Sequence, residues 1–178
     1  MISRVFTLVG LVGVLALVPA ASQAQDASKL SFGVMGGLSL PMGDFGDGFK
    51  SGYNITGSLY APLGDKLKLR GDVGYESFEP EVSLGNNLNV LSFAGNVMFP
   101  LGAAAAEGGA RPYLIGGAGL YRFGCDGCDY ETDLGITVGG GFEFQLSGFT
   151  TFAEARLVNV FSENESTRWI PITFGIRF

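Results

Sequence analysis

The most reactive side chains of this 178-residue sequence are its two cysteines, Cys125 and Cys128, which are separated by two residues. This spacing is compatible with a local disulfide, a redox-active pair or part of a metal site. A redox pair of this spacing normally opens a helix in a βαβ unit, which the surrounding pattern does not indicate. A metal site needs more ligands than two thiols and the nearby Asp126 and Asp129. We therefore expect a disulfide that closes a small loop, and we predict no metal and no cofactor.

Histidine is absent from the whole sequence. This excludes serine–histidine triads and histidine-based acid–base catalysis, and it removes the commonest zinc ligand. The formal net charge is −6, which makes nucleic acid an unexpected partner. The sequence therefore predicts a protein that is not an enzyme and has no catalytic residues.

Eight charged side chains lie on the polar rows of alternating segments, four of each sign. They are Lys68, Arg70, Asp72, Glu76, Glu143, Glu154, Arg156 and Arg177. If these rows face a closed interior, the charges must be paired, because an isolated buried charge is very costly. We expect Lys68, Arg70 and Asp72 to reach across the interior toward Glu154 and Arg156 and to plug it with ion pairs.

The elements that carry these charges are eight segments in which apolar residues alternate with polar or small ones, a pattern that predicts β-strands. Each is near the ~9–11 residues that a tilted membrane strand needs. The faces of the fifth segment are difficult to assign. The segments are Leu30–Leu40, Tyr53–Leu63, Leu67–Phe78, Asn89–Phe99, Pro112–Phe123, Leu134–Leu146, Phe149–Phe161 and Trp169–Phe178.

The last segment ends on alternating apolar residues, Ile172, Phe174, Ile176 and Phe178. The first 24 residues have a different character: Arg4 is followed by the apolar stretch Val5–Val18. Small residues precede a cleavage point after Ala24, as in a secretory signal peptide. We expect residues 1–24 to be removed and residues 25–178 to form one domain in a compartment that permits disulfides.

Alternation does not define which face points inward. A soluble lipocalin-like carrier would turn its apolar rows toward a ligand, and its outer rows would then carry many charges. Charged residues are only 16% of this sequence, and its polar rows consist mostly of small residues. Small residues suit the narrow interior of an eight-stranded barrel. The pattern therefore favours apolar rows that face lipid, in a closed barrel that satisfies every backbone group.

The connections on one side of the predicted barrel are short, and those on the other side are longer and acidic. The longer ones carry Asp44, Asp47, Glu79, Glu81, Asp126, Asp129, Glu131, Asp133, Glu163 and Glu165 against only Lys50 and Arg168. We interpret them as a solvated rim, and capture of divalent cations is the alternative. Aromatic residues near the strand ends, which include Tyr113, Tyr121, Phe123 and Trp169, are expected to form lipid-facing girdles.

The sequence resembles the small bacterial outer-membrane β-barrel family, which includes OmpX-like proteins and the transmembrane domain of OmpA-like proteins. The resemblance rests on the glycine-rich segment Ser31–Ser39, the segment Arg111–Arg122, the triplet Glu154-Ala155-Arg156 and the terminal Phe178. It implies an all-β fold, an eight-stranded antiparallel up-and-down barrel in the outer membrane. It also implies that Ile172, Phe174, Ile176 and Phe178 form the signal read by the barrel-assembly machinery.

From this resemblance we expect a monomer in contact with outer-membrane lipid, with a surface or envelope-integrity role. The alternative is a narrow porin-like channel for small solutes. A soluble lipocalin-like carrier is a third, less favoured possibility.

Overall fold

The eight predicted strands form a closed antiparallel barrel in the computed structural model, which describes residues 30–64, 66–82, 86–102, 109–125, 130–162 and 166–178. The elements are β1 (Ser31–Met42), α1 (Asp44–Gly48), β2 (Gly52–Leu63), β3 (Leu67–Phe78), β4 (Leu88–Pro100), β5 (Ala110–Gly124), β6 (Glu131–Leu146), β7 (Phe149–Phe161) and β8 (Ser166–Arg177). Each strand pairs with its sequence neighbours, and β1 pairs with β8 to close the sheet. The predicted fold class is confirmed.

The two ends of the barrel differ in their connections. One end, which we call the turn end, contains the first residue of β1 (Ser31), the last residue of β8 (Arg177) and the turns at Gly64 and Gly148. Both glycines have positive φ angles, 66° and 90°, a conformation that glycine adopts without steric cost. The opposite end, which we call the loop end, carries the connections that follow β1, β3, β5 and β7.

The apolar rows face outward, as the sequence predicts. Phe32 and Phe174 are 63% and 67% exposed, although they alternate with buried neighbours on their strands. The inward rows contain charged and hydroxyl side chains, so the barrel has the opposite polarity to a carrier with an apolar cavity. A surface of this kind requires lipid around it, since a soluble protein rarely exposes a contiguous apolar patch of this size.

Six strands, β1, β2, β4, β5, β6 and β8, extend farther toward the loop end than hydropathy predicts, and the extension is largest in β6 and β8. β6 begins at Glu131 rather than Leu134, β8 begins at Ser166 rather than Trp169, and β5 continues to Gly124. Arg122 pairs with Thr132 and Phe123 with Glu131 in the β5–β6 ladder. Polar residues can continue the hydrogen-bonded strand pairing at the rim, because pairing uses backbone groups. Only the part of a strand that contacts lipid needs apolar side chains.

The loop end also contains the short helix α1, which the sequence analysis treated as loop. Its backbone joins the neighbouring connection: Lys50 N donates to Glu79 O at 2.8 Å, and Glu81 N donates to Gly48 O at 3.0 Å. These bonds hold α1 across the barrel opening, where Phe45 and Phe49 point toward the interior cluster described below. Within the described chain, no helix is long and apolar enough to cross a membrane.

Candidate functional site in the barrel lumen

The centre of the lumen contains an ion pair that joins two opposite walls. Arg70 projects from β3 and Glu154 from β7, and both are almost fully buried at 1% and 3% exposure. Arg70 Nη1 and Nη2 donate to Glu154 Oε2 and Oε1, each at 2.8 Å. The Tyr113 hydroxyl from β5 donates to Glu154 Oε2 at 2.7 Å. This bidentate geometry is the strong form of an arginine–carboxylate pair.

The second central carboxylate, Asp72, gathers donors from several strands. Arg156 Nη1 and Arg70 Nε donate to Asp72 Oδ2 at 3.0 and 3.1 Å. Asn96 Nδ2 donates to the same oxygen at 3.0 Å, and the Ser58 hydroxyl donates to Asp72 Oδ1 at 2.6 Å. We call Arg70, Asp72, Glu154 and Arg156 the central quartet; its two cations and two anions balance in charge.

A smaller cluster lies at the turn end of the lumen. Glu143 accepts hydrogen bonds from Lys68 Nζ at 3.2 and 3.3 Å and from Arg177 Nη1. The side chain of Lys68 is 26% exposed, so this cluster contacts the opening of the barrel. The turn-end cluster of Lys68, Glu143 and Arg177 is thus separate from the central quartet and carries one surplus positive charge.

Glu76 lies apart from both clusters. The Ser39 hydroxyl donates to Glu76 Oε2, and Asn54 Nδ2 donates to Ser39 Oγ at 3.0 Å. No described residue forms an ion pair with Glu76, although it is buried. The eight charges predicted for the lumen therefore all project inward, but the structure distributes them over two ion-pair clusters and one hydroxyl-bonded carboxylate.

An aromatic cluster fills the lumen at the loop end, and we call it the aromatic cap. Trp169 is fully buried at its centre, with ring-centroid distances of 5.7 Å to Tyr121 and 6.1 Å to Phe78. Phe45 from α1 lies 5.0 Å from Phe78 and 6.2 Å from Trp169. The cap consists of Phe45, Phe49, Phe78, Tyr121, Phe123 and Trp169. It covers the loop-end side of the central quartet.

The expected girdle positions of Tyr113, Tyr121, Phe123 and Trp169 are wrong, because all four face the lumen. The alternation of β8 would have identified Trp169. Side chains two residues apart share a face, so Trp169 lies on the same face as Arg177, which was predicted to point inward. In β5 the alternation is hidden by small residues from Gly116 to Gly119, so the faces of Tyr113 and Tyr121 had no local signal. The aromatic cap is the main feature of the lumen that sequence reasoning missed.

Inward glycines create the space for these large side chains. A Cβ atom on Gly141 would lie 2.3 Å from Ala153 O and 2.7 Å from the Tyr113 hydroxyl. One on Gly175 would lie 2.3 Å from the Phe152 ring. Contacts this short are not tolerated, so glycine at position 141 allows Tyr113 to reach Glu154, and glycine at position 175 makes room for the Phe152 ring.

The remaining predicted residues lie outside the lumen. Ile172, Phe174, Ile176 and Phe178 are all exposed on the outward face of the C-terminal strand region. Cys125 is disulfide-bonded, whereas Cys128 lies outside the described residues, so the pairing of the two stays a prediction. Of the acidic loop residues, Asp126, Asp129, Glu163 and Glu165 also lie outside the described part. Among described residues, no group of three or more acidic, cysteine or histidine side chains is arranged to hold a metal ion.

Comparison with known proteins gives one family and several similar structures. A family model described as outer membrane protein beta-barrel domain matches residues 11–178. The crystal structure of Neisserial surface protein A superimposes with a TM-score of 0.65 at 16% identity, covering 84% of this chain and 96% of that one. The N-terminal β-barrel domain of Pseudomonas aeruginosa OprF gives a TM-score of 0.50 at 16% identity, covering 83% and 97%. No curated protein matches the sequence.

Proposed function

The chain belongs to the outer membrane protein beta-barrel domain family, and from this premise we propose that it is a non-conducting, non-enzymatic protein with a surface or envelope-integrity role. Proteins of this family lie in the bacterial outer membrane, where the exposed apolar rows contact lipid. The observation that carries the proposal is the bidentate Arg70–Glu154 pair, which links opposite walls of the lumen.

The contents of the lumen support a closed barrel at three levels. The aromatic cap fills the loop end, the central quartet fills the middle, and Glu143 with its two cations lies at the turn end. An eight-stranded barrel is only wide enough for side chains to fill. We expect side chains bonded to each other across the interior to leave ions no continuous path of water.

The same contacts support a role without catalysis. The carboxylates of the quartet accept several donors each, so their oxygens are engaged by protein groups rather than open to a substrate. A surface role is in keeping with the similarity to a protein named as a surface protein, although at 16% identity that similarity establishes the fold alone. We also propose that the chain is exported through the signal peptide at residues 1–24. The assembly machinery would recognise the strand that ends at Phe178, and the barrel would be a monomer.

Conductance in planar lipid bilayers tests the closed lumen. The wild-type barrel should give no steady conductance steps, whereas Glu154→Ala should raise leak conductance, because the quartet loses the group that joins β3 to β7. Glu81→Ala, which removes an exposed acid at the loop end, is the matched control and should behave as wild type. Large, steady steps from the wild-type barrel would refute the proposal and favour the narrow-channel alternative.

A further inference from the structure

The lipid-facing rows of the barrel carry an unusual pair of charges. Along the outward rows of the eight described strands, Arg122 on β5 and Arg168 on β8 are the charged residues. Both are exposed, and both lie two residues from the loop end of their strands. The chain has a net charge of −6 and an acidic rim, yet both charges at this level are arginines. A charged side chain on the lipid face is tolerated near the interface and not at the midplane.

Arg122 lines a pocket at this level. The pocket has a volume of about 410 Å³ and lies between Arg122, Tyr75, Asn89, Leu91 and Tyr130. Leu91 pairs directly with Arg122 across the β4–β5 ladder, and the Tyr75 hydroxyl donates to Asn89 Oδ1 at 2.9 Å. Asn89 lies on the loop side of this pair, and the next outward pair toward the membrane is Phe93 and Leu120. Polar groups thus give way to apolar ones across the level of Arg122, as they do at the boundary between a lipid headgroup and its chains.

The guanidinium group of Arg122 is oriented by stacking. Its Cζ lies 4.2 Å from the ring centroid of Tyr130, which is itself 67% exposed. Stacking occupies one face of the guanidinium and leaves its N–H edges open, and no described carboxylate pairs with it. Arg168 differs, because its guanidinium donates to Asn159 and Ser166 at 2.7 and 3.1 Å. Arg122 is therefore better placed than Arg168 to bind a ligand.

We propose that the Arg122 pocket binds the phosphate group of a phosphorylated lipid in the leaflet at the loop end. Arginine presents parallel N–H donors that match two phosphate oxygens. The acyl chains would then extend over Leu91 and the outward leucine below Arg122, Leu120, which is 43% exposed. In an outer-membrane barrel the longer loops face outward, so this is the outer leaflet. The inference goes beyond the closed lumen and does not depend on it.

Native mass spectrometry of the folded full-length mature barrel in neutral detergent tests this inference. The probe is diphosphorylated lipid A, compared with the same glycolipid after removal of both phosphates. The wild type should bind the phosphorylated form at least tenfold more tightly, a difference of ~1.4 kcal/mol. Arg122→Ala should lose about that factor of ten, and Arg122→Lys should lose less, because it keeps the charge but not the bidentate geometry.

Lys50→Ala is the matched control, since it removes one positive charge from an exposed position at the same end of the barrel. Its affinity should stay within about twofold of wild type, a difference of ~0.4 kcal/mol. Equal losses in Lys50→Ala and Arg122→Ala would overturn the proposal in favour of general attraction. Equal binding of the dephosphorylated lipid would overturn it as well.

Inorganic phosphate separates a lipid site from a free-anion site. Millimolar phosphate should leave the bound lipid in place, because phosphate lacks the chains that contact Leu91; displacement would overturn the assignment to lipid. Heat-dependent gel mobility of each variant reports folding. If Arg122→Ala does not fold, Tyr130→Leu removes the stacking partner instead and should weaken phosphate-dependent binding. Unchanged binding in that variant would contradict the proposal.

Discussion

At the scale of single residues, Glu154 and Glu76 show two ways to bury a carboxylate in the same lumen. Glu154 accepts three hydrogen bonds from Arg70 and Tyr113, and its Oε1 lies 3.1 Å from Arg156 Nε. Glu76 relies instead on the Ser39 hydroxyl. Removal of Glu154 should have the larger effect on stability, because it leaves the buried Arg70 cation without its bidentate partner, whereas removal of Glu76 leaves only neutral donors behind.

Glu154→Ala is therefore expected to lower the free energy of unfolding by roughly 3–5 kcal/mol, because Arg70 stays buried without its main partner. Urea unfolding in phospholipid vesicles, followed by tryptophan fluorescence, measures this. The exposed Glu81→Ala should change stability by less than ~0.5 kcal/mol. Similar unfolding free energies for the two variants would mean that water in the lumen already solvates Arg70.

Gly141 tests the packing that supports this pair. Gly141→Ala should destabilise the barrel by roughly 1–3 kcal/mol, as overpacking in a core does, because the new methyl group meets Ala153 O and the Tyr113 hydroxyl. Gly57→Ala is the matched control, since its Cβ would have no neighbour within 4 Å. That change should be neutral or slightly stabilising, because alanine costs less entropy than glycine in a strand. The reverse order of stabilities in urea would contradict the packing found here.

At the scale of elements, the C-terminal strand closes the barrel as well as carrying the predicted assembly signal. Phe178 N donates to Phe32 O at 2.8 Å, and Phe32 N donates to Phe178 O at 3.2 Å. Phe178 therefore contributes in two separable ways: its backbone pairs with β1 and helps to close the barrel, and its exposed aromatic side chain belongs to the predicted assembly signal.

Substitution and deletion of Phe178 separate these contributions. Phe178→Ala keeps the backbone bonds and should reduce the level of protein in the outer membrane, while the barrel purified in detergent loses at most a few kcal/mol of stability. Deletion of Phe178 should reduce membrane levels further. Phe144→Ala, which removes another outward aromatic near the turn end, should leave membrane levels unchanged. Membrane fractionation with immunoblotting measures all three, and normal levels of the deletion variant would refute the assembly signal.

At the scale of the whole molecule, closure of the sheet decides which environment each residue meets. Trp169, the single tryptophan of the chain, is enclosed in the lumen although it lies near the level of the lipid interface. A tryptophan at such a level more often anchors a barrel in the interface. Here it packs with rings from α1, β3 and β5 instead.

Fluorescence quenching distinguishes these environments. In vesicles, emission from Trp169 should be quenched weakly both by acrylamide, which samples water, and by brominated acyl chains, which sample lipid. A Phe174→Trp change in a Trp169→Phe background places the reporter on the outward face and should be quenched strongly by the brominated chains. Strong quenching of the native tryptophan by brominated lipid would show that Trp169 faces the membrane and that the aromatic cap is absent.

The sequence by itself determined the strands, the outward rows and the inward direction of the eight charges. These follow from a repeat of two residues, which is local: side chains such as Phe174 and Arg177 take opposite faces whatever the rest of the chain does. The first residues of β6 and β8 were not determined in this way, because polar rim residues continue the ladder without a change in periodicity.

Only the tertiary structure decided which charges meet. Arg70 and Glu154 are 84 residues apart and become partners because closure of the barrel sets the stagger of β3 against β7. The same closure leaves Glu76 with Ser39 and lets α1 place Phe45 against Trp169. Contacts across a lumen depend on strand tilt and stagger summed over the whole sheet, and no local pattern in the sequence encodes that sum.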